Sequence, residues 1–130
     1  MKKVFLGGTC NGATWREELI PLLHIEYFNP VVKTWTPECQ AEEIRQREDC
    51  DYCLYVITPA MTGVYSVAEV VDDSNKRPGK TLLCFMEDAS GPFTPHQLKS
   101  LTQVAHMVES NGAMVFTHLN DIANYLNGGA

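Results

Sequence analysis

Glu69 is the side chain in this sequence best placed to do chemistry. It ends the segment Thr58-Pro-Ala-Met-Thr-Gly-Val-Tyr-Ser-Val-Ala-Glu69, which follows directly on the apolar run Tyr52-Cys-Leu-Tyr-Val-Ile57. That order reads as a buried strand, a glycine-containing turn, and a helix with a carboxylate in its first turn. In an open α/β sheet, ligands collect in the crevice beyond the carboxyl ends of the strands. A carboxylate delivered there is a candidate nucleophile or base. The same residues also have a purely structural reading. Ser66-x-x-Glu69 has the spacing of a capping box, with Ser66 as N-cap and Glu69 reaching back to a backbone N–H.

A second source of carboxylates lies upstream. The stretch after Thr36-Pro37 carries Glu38, Glu42, Glu43 and Glu48. Such a run is usually a solvated acidic face. Its N-terminal end nevertheless falls at the same rim of the sheet as Glu69, so one of these acids could face Glu69 across the crevice. Two carboxylates in one cleft suit glycosyl-bond chemistry. One attacks the anomeric carbon, the other manages the leaving group, and both favour a developing oxocarbenium charge.

Other features bear on binding. Gly7-Gly8-Thr9-Cys10-Asn11-Gly12 is a glycine-rich loop that lets backbone approach a ligand, or simply a tight strand-to-helix turn. It lacks both G-x-G-x-x-G and the Lys-Ser/Thr of a P-loop. Trp35, in a polar loop, could stack on a flat heterocycle or anchor the loop on the core. Asn29 could start a turn before Pro30 or point its amide into the crevice. Cys50-Asp-Tyr-Cys53 has C-x-x-C spacing, but it straddles the start of an apolar strand. Redox chemistry needs that motif at a helix N-terminus. His24, His96, His106 and His118 are scattered, and no ligand pair completes a zinc site.

The elements that must position these groups follow from periodicity and punctuation. Strands are expected at 3–6, 26–28, 51–57, 81–85 and 113–116, all short and buried. Helices are expected over 13–23, weakened by Pro21, and over 37–48 after the Thr36 cap and Pro37. Three more are expected over 66–75, from Thr94-Pro95 to Ser110 with Asn111-Gly112 closing it, and over 118–126. Asn11-Gly12 reads as a turn and Gly128-Gly-Ala130 as a frayed end. Strands alternating with helices imply a parallel sheet with right-handed crossovers. The expected fold is one flavodoxin-like α/β domain over 1–130, with strand order 2-1-3-4-5 and helices on both faces. Its crevice opens between strands 1 and 3, where Glu69 and the glycine-rich loop meet.

Bulk composition narrows the partners. The chain has 130 residues and a net charge of −6, which argues against nucleic acid and anionic membranes as main partners. No apolar run approaches the roughly 20 residues of a membrane span. Five cysteines, an odd and scattered set, with no leader ahead of the first strand, suggest free thiols in a reducing cytoplasm.

Val4-Phe-Leu-Gly-Gly8 leading into a helix, Phe28-Asn-Pro30, and Asp51 through Glu69 together resemble the nucleoside 2-deoxyribosyltransferase-like family, over roughly positions 3 to 85. The resemblance implies a flavodoxin-like sheet and a glutamate, here Glu69, that displaces a base from a deoxynucleoside. It implies an acid eight positions before the Asp that opens strand 3, here Glu43, to handle the proton of the leaving base. Ser66 would lie near the sugar. Substrate contacts are expected from Gly7, Gly8, Thr9, Asn29, Trp35, Gly63 and Ser66, with no metal and no cofactor. Members complete their sites from a neighbouring subunit, which implies a homo-oligomer, with Asn124 or Asn127 as donated residues. Two positions depart from the pattern. Gly63 stands where characterised members carry a polar residue, and Val70-Val71 replaces a glycine after the glutamate. The ligand implied is a small nucleoside or nucleotide. The competing readings are a non-catalytic nucleotide- or nucleoside-binding module on the same fold, a hydrolase that uses water alone, and a thiol-redox protein.

Overall fold

The computed structural model describes residues 1–10 and 12–129. Five strands, β1 (Lys3–Gly8), β2 (Glu26–Phe28), β3 (Tyr52–Ile57), β4 (Thr81–Phe85) and β5 (Met114–Phe116), form one sheet in the order β2-β1-β3-β4-β5. All four pairings are parallel. The expected flavodoxin-like order is the one found.

Period-two alternation explains the two cores. Val4, Leu6, Leu54, Val56, Leu82 and Cys84 point to one face and meet Trp15, Leu19, Ile122 and Leu126. Phe5, Cys53, Tyr55, Ile57 and Leu83 point to the other and meet Val70, Leu101, Ala105 and Val108. Successive side chains of a strand alternate faces, so a strand covered on both sides reads as an unbroken apolar run. The helices therefore divide into two layers. α1 (Trp15–Leu19) and α5 (Leu119–Leu126) cover the first face; α3 (Tyr65–Lys76) and α4 (Pro95–Ser110) cover the second. α2 (Pro37–Asp49) joins that second layer mainly through polar contacts. Its Ile44 is exposed, and its buried residues are Gln46 and Arg47.

Several elements differ from expectation. β2 and β5 are three-residue edge strands with Tyr27 and Met114 exposed, not buried strands, because an edge has a neighbour on one side only. β1 continues through Gly7 and Gly8, which were expected in the loop. The first helix is short and passes into a 3₁₀ turn, Ile20–Leu22, since Pro21 cannot donate to the turn before it. Asn11 of the expected Asn11-Gly12 turn lies outside the described residues, as does Ala130. The two C-terminal glycines are not frayed: the Gly128 and Gly129 amides donate to the Tyr125 and Asn124 carbonyls.

Local signals account for the remaining helix ends. Thr36 caps α2 by accepting from the Cys39 amide. Thr94 and Gln97 form a reciprocal capping box on α4. Gly112, at φ 108°, turns the chain out of α4 where a side chain would be strained. Among the described residues, no helix is long and apolar enough to cross a membrane.

Candidate functional site

The chain leaves β1 for one face of the sheet and β3 for the other, so a crevice opens between their carboxyl ends. There lies a cavity of about 250 Å³ lined by Gly8, Thr9, Cys10, Trp35, Glu43, Met61, Gly63, Tyr65, Ser66 and Glu69.

Its floor is held rigidly. Gly8 has φ 116°, and a Cβ there would lie 2.2 Å from the Val56 carbonyl oxygen, so only glycine lets β1 run this close to β3. The Thr9 amide donates to the Val56 carbonyl at 2.9 Å, and the Thr9 hydroxyl accepts from the Thr58 amide at 2.9 Å. Behind the loop, the buried Arg16 guanidinium donates to the carbonyls of Leu6, Gly8 and Thr9, and the Trp15 indole N–H also donates to Thr9.

The acids come from two helices. α3 begins one residue earlier than expected, its N-cap is Val64, and no side chain caps it. The Ser66-x-x-Glu69 capping box is therefore not formed. Both side chains line the cavity instead. Glu69 is 11% exposed, and its Oε2 lies 3.7 Å from Arg47 Nη1. Arg47 sits one turn after Glu43 on α2, and Asp73 one turn after Glu69 on α3. Arg47 Nη2 donates to Asp73 Oδ1 at 2.8 Å and to Asp72 Oδ2 at 2.9 Å. Asp73 is fully buried and also accepts from the Tyr55 hydroxyl.

Burial pushes the Glu69 carboxyl up to about 7; the Arg47 charge opposes this, and Glu43 and Asp73 add to it. Burial likewise raises Glu43, against a partly offsetting Arg47. Burial works against the charge of Arg47, but hydrogen bonding to Asp73 and the surrounding anions outweigh it and hold the guanidinium ionised. Burial and Asp73 raise Tyr55. A carboxylate lifted this far by desolvation, in a cleft and beside a second acid, is the usual setting of acid–base or nucleophilic work.

Of the residues singled out from sequence, the cavity gathers Gly8, Thr9, Trp35, Glu43, Gly63, Ser66 and Glu69. Trp35 is 56% exposed, so it does not anchor the loop on the core. Two residues fall elsewhere. Gly7 does not line the cavity; a Cβ there would lie 2.6 Å from the Tyr55 ring, so its role is to admit that ring. Asn29 lines a neighbouring hollow of about 270 Å³ that shares Cys10 with the first. Its Oδ1 accepts from the Val31 amide at 3.1 Å, the turn-forming bond.

Arg47, Tyr55 and Asp73 were not anticipated. A tyrosine inside a buried strand and two acid-containing i, i+4 pairs were the available signals. The C-x-x-C pair is inert by placement: Cys50 and Cys53 are buried, and burial raises both thiols, Cys53 to about 12. Asn127 is committed within its own chain, accepting from the His24 amide and donating to the Leu22 carbonyl.

Larger hollows exist. One of about 660 Å³ between α3 and α4 is walled mostly by apolar side chains. Another, of about 550 Å³, has the exposed Glu18, Glu87 and His118 at its edge. Among the described residues, no group of three or more His, Cys, Asp or Glu is placed to hold a metal ion.

Residues 1–89 match the family described as nucleoside 2-deoxyribosyltransferase like. The match takes in β1 to β4 and every residue lining the cavity. No curated protein and no solved structure matches the chain. The sheet order, the crevice between β1 and β3 and the span of this match agree: the chain belongs to the nucleoside 2-deoxyribosyltransferase-like family.

Proposed function

We propose that this protein cleaves the N-glycosyl bond of a nucleoside, with Glu69 as nucleophile and Glu43 as its proton-handling partner. One observation carries the reading: carboxylates from two helices line a single cavity at the reversal point of the sheet. Family membership supports the substrate class. Among the described residues, the lining includes two acids and no Lys or Arg, which favours a nucleoside over a phosphorylated nucleotide.

The chemistry is a double displacement. A Glu69 carboxylate oxygen forms a bond to C1′ as the C1′–N bond breaks, and the bonding pair leaves on the base nitrogen. Glu43 donates its proton to that base. A second base then attacks C1′, Glu43 takes up its proton, and the Glu69 ester is released. Water in place of the second base gives hydrolysis. Trp35 stacks on the base, and Ser66, with the backbone at Gly8 and Thr9, orients the sugar; holding the reactants so accounts for much of the rate. A homo-oligomer is part of this reading, with the donated residue other than Asn127.

The test is incubation with a panel of deoxynucleosides and a free acceptor base. The reading expects exchanged nucleoside and a glycosyl adduct on the intact protein by mass spectrometry, both lost in Glu69→Gln. Base release without exchange assigns a hydrolase. Tight ligand binding with no turnover in the wild type assigns a binding module.

A further inference from the structure

We propose that Arg47 is a positioning residue for Glu69, held by Asp73 and Tyr55 at a distance where its charge reaches the Glu69 carboxylate but its N–H groups do not. The functional meaning of this rests on Glu69 being the nucleophile; the geometry does not.

A nucleophilic carboxylate in a half-closed site has two conflicting needs. It must ionise despite lost solvent, which a nearby cation favours. It must also stay nucleophilic, which a directly bonded cation reduces, because a charge-assisted hydrogen bond draws charge from the carboxylate and weakens as the oxygen attacks. An ion pair held just beyond hydrogen-bond length meets both needs.

The arrangement around Arg47 has that form. Its Nη2 lies 2.8 Å from Asp73 Oδ1 and 2.9 Å from Asp72 Oδ2, and its Nε lies 3.3 Å from Asp73 Oδ2. Its Nη1 stops 3.7 Å short of Glu69 Oε2. The guanidinium cannot move closer without leaving Asp73. Asp73 in turn is fixed by full burial, by the Tyr55 hydroxyl and by Arg77, whose Nε lies 3.4 Å away. Tyr55 comes from the centre of β3, and its ring occupies the space left by the missing Cβ of Gly7. The chain of constraint therefore runs from Gly7 through Tyr55 and Asp73 to Arg47.

The groups facing Glu69 are Arg47 and Glu43 on α2, Tyr55 on β3, Asp73 on its own helix, and Cys10 and Tyr65 on the cavity wall. Of these, Arg47 supplies the positive charge. Removing it must make Glu69 harder to ionise. Removing the Asp73 charge must make Glu69 easier to ionise, first by deleting an anion and second by freeing Arg47 to close the gap.

The experiment is a carbon-13 NMR titration of the Glu69 side-chain carboxyl in protein labelled at glutamate, with the resonance assigned by its loss in Glu69→Gln. Arg47→Met is expected to raise the midpoint by about one pH unit or more, and Asp73→Asn to lower it. Arg47→Lys, which keeps the charge without the fork, is expected to fall between Arg47→Met and wild type. An unmoved midpoint in Arg47→Met overturns the proposal. Should that variant not fold, an unmoved or raised midpoint in Asp73→Asn overturns it equally. The titration needs no turnover, so shifted midpoints in a protein that processes no nucleoside would sink the glycosyl-transfer reading and leave this one standing.

Discussion

Glu43 on α2 and Glu69 on α3 face one cavity from different helices, and the charge of Glu43 adds to burial in making Glu69 reluctant to ionise. Both helices start at the carboxyl edge of the sheet, which brings the two acids to the same rim. In the proposed chemistry, the form with Glu69 ionised and Glu43 protonated is the one that attacks and donates at once.

Glu69→Gln keeps the shape of the side chain and removes the attacking oxygen anion. Turnover should fall on the order of 10³-fold or more, about 4 kcal/mol of transition-state stabilisation. Ligand affinity should change far less. Steady-state kinetics beside calorimetric binding separates the two effects, and equal losses in both would remove Glu69 from the chemical step.

The same substitution should alter stability in a pH-dependent way. Glu69 ionises at about 7 in the folded protein against an ordinary 4.5. The fold therefore keeps its proton after the unfolded chain has lost it. Stability from this group is fully present below 4.5, is lost as the pH rises to about 7, and then levels. The loss is at most about 3 kcal/mol, reduced by solvent at the cavity mouth. Urea unfolding should show Glu69→Gln gaining on the wild type at pH 8 and not at pH 4.5. A pH-independent difference would contradict the raised carboxyl.

Gly8→Ala tests the floor of the site. The new methyl would meet the Val56 carbonyl oxygen at 2.2 Å on a backbone with φ 116°. Relief requires β1 to separate from β3 at the hydrogen bond that Thr9 makes to Val56. A cost of about 3 kcal/mol or more is expected in denaturant unfolding. Gly63→Ala, where a Cβ meets nothing within 4 Å, is the control and should cost little.

Trp35→Ala separates binding from folding. The side chain is 56% exposed, so stability should stay within about 0.5 kcal/mol of wild type. If Trp35 stacks on the base, affinity for a nucleoside should fall by roughly 1–3 kcal/mol, about five- to 150-fold. Fluorescence quenching of the wild-type indole on titration with ligand gives the same answer from the other side, and unchanged affinity would remove Trp35 from the site.

Much of this protein was readable from its residues because the relevant forces are local. Short unbroken apolar runs named β1, β3 and β4, and Thr36-Pro37 and Thr94-Pro95 named two helix starts. The alternation of strands and helices named a parallel sheet, and its commonest small order put Glu69 at the reversal point. The edge strands were misread as buried, since three residues cannot show how many neighbours they have.

Whether Glu69 caps its own helix was beyond local reading for a deeper reason. Ser66-x-x-Glu69 has the spacing of a cap, and only the backbone at Val64 decides that no cap forms. Glu43 with Arg47, and Glu69 with Asp73, each stand one turn apart in the sequence. Nothing in either helix states that Arg47 will bond Asp73 at 2.8 Å and stop 3.7 Å from Glu69. That difference comes from the ion pairs that tie α2 to α3 and from the Tyr55 hydroxyl that holds Asp73, contacts among three segments that exist only once the sheet has formed.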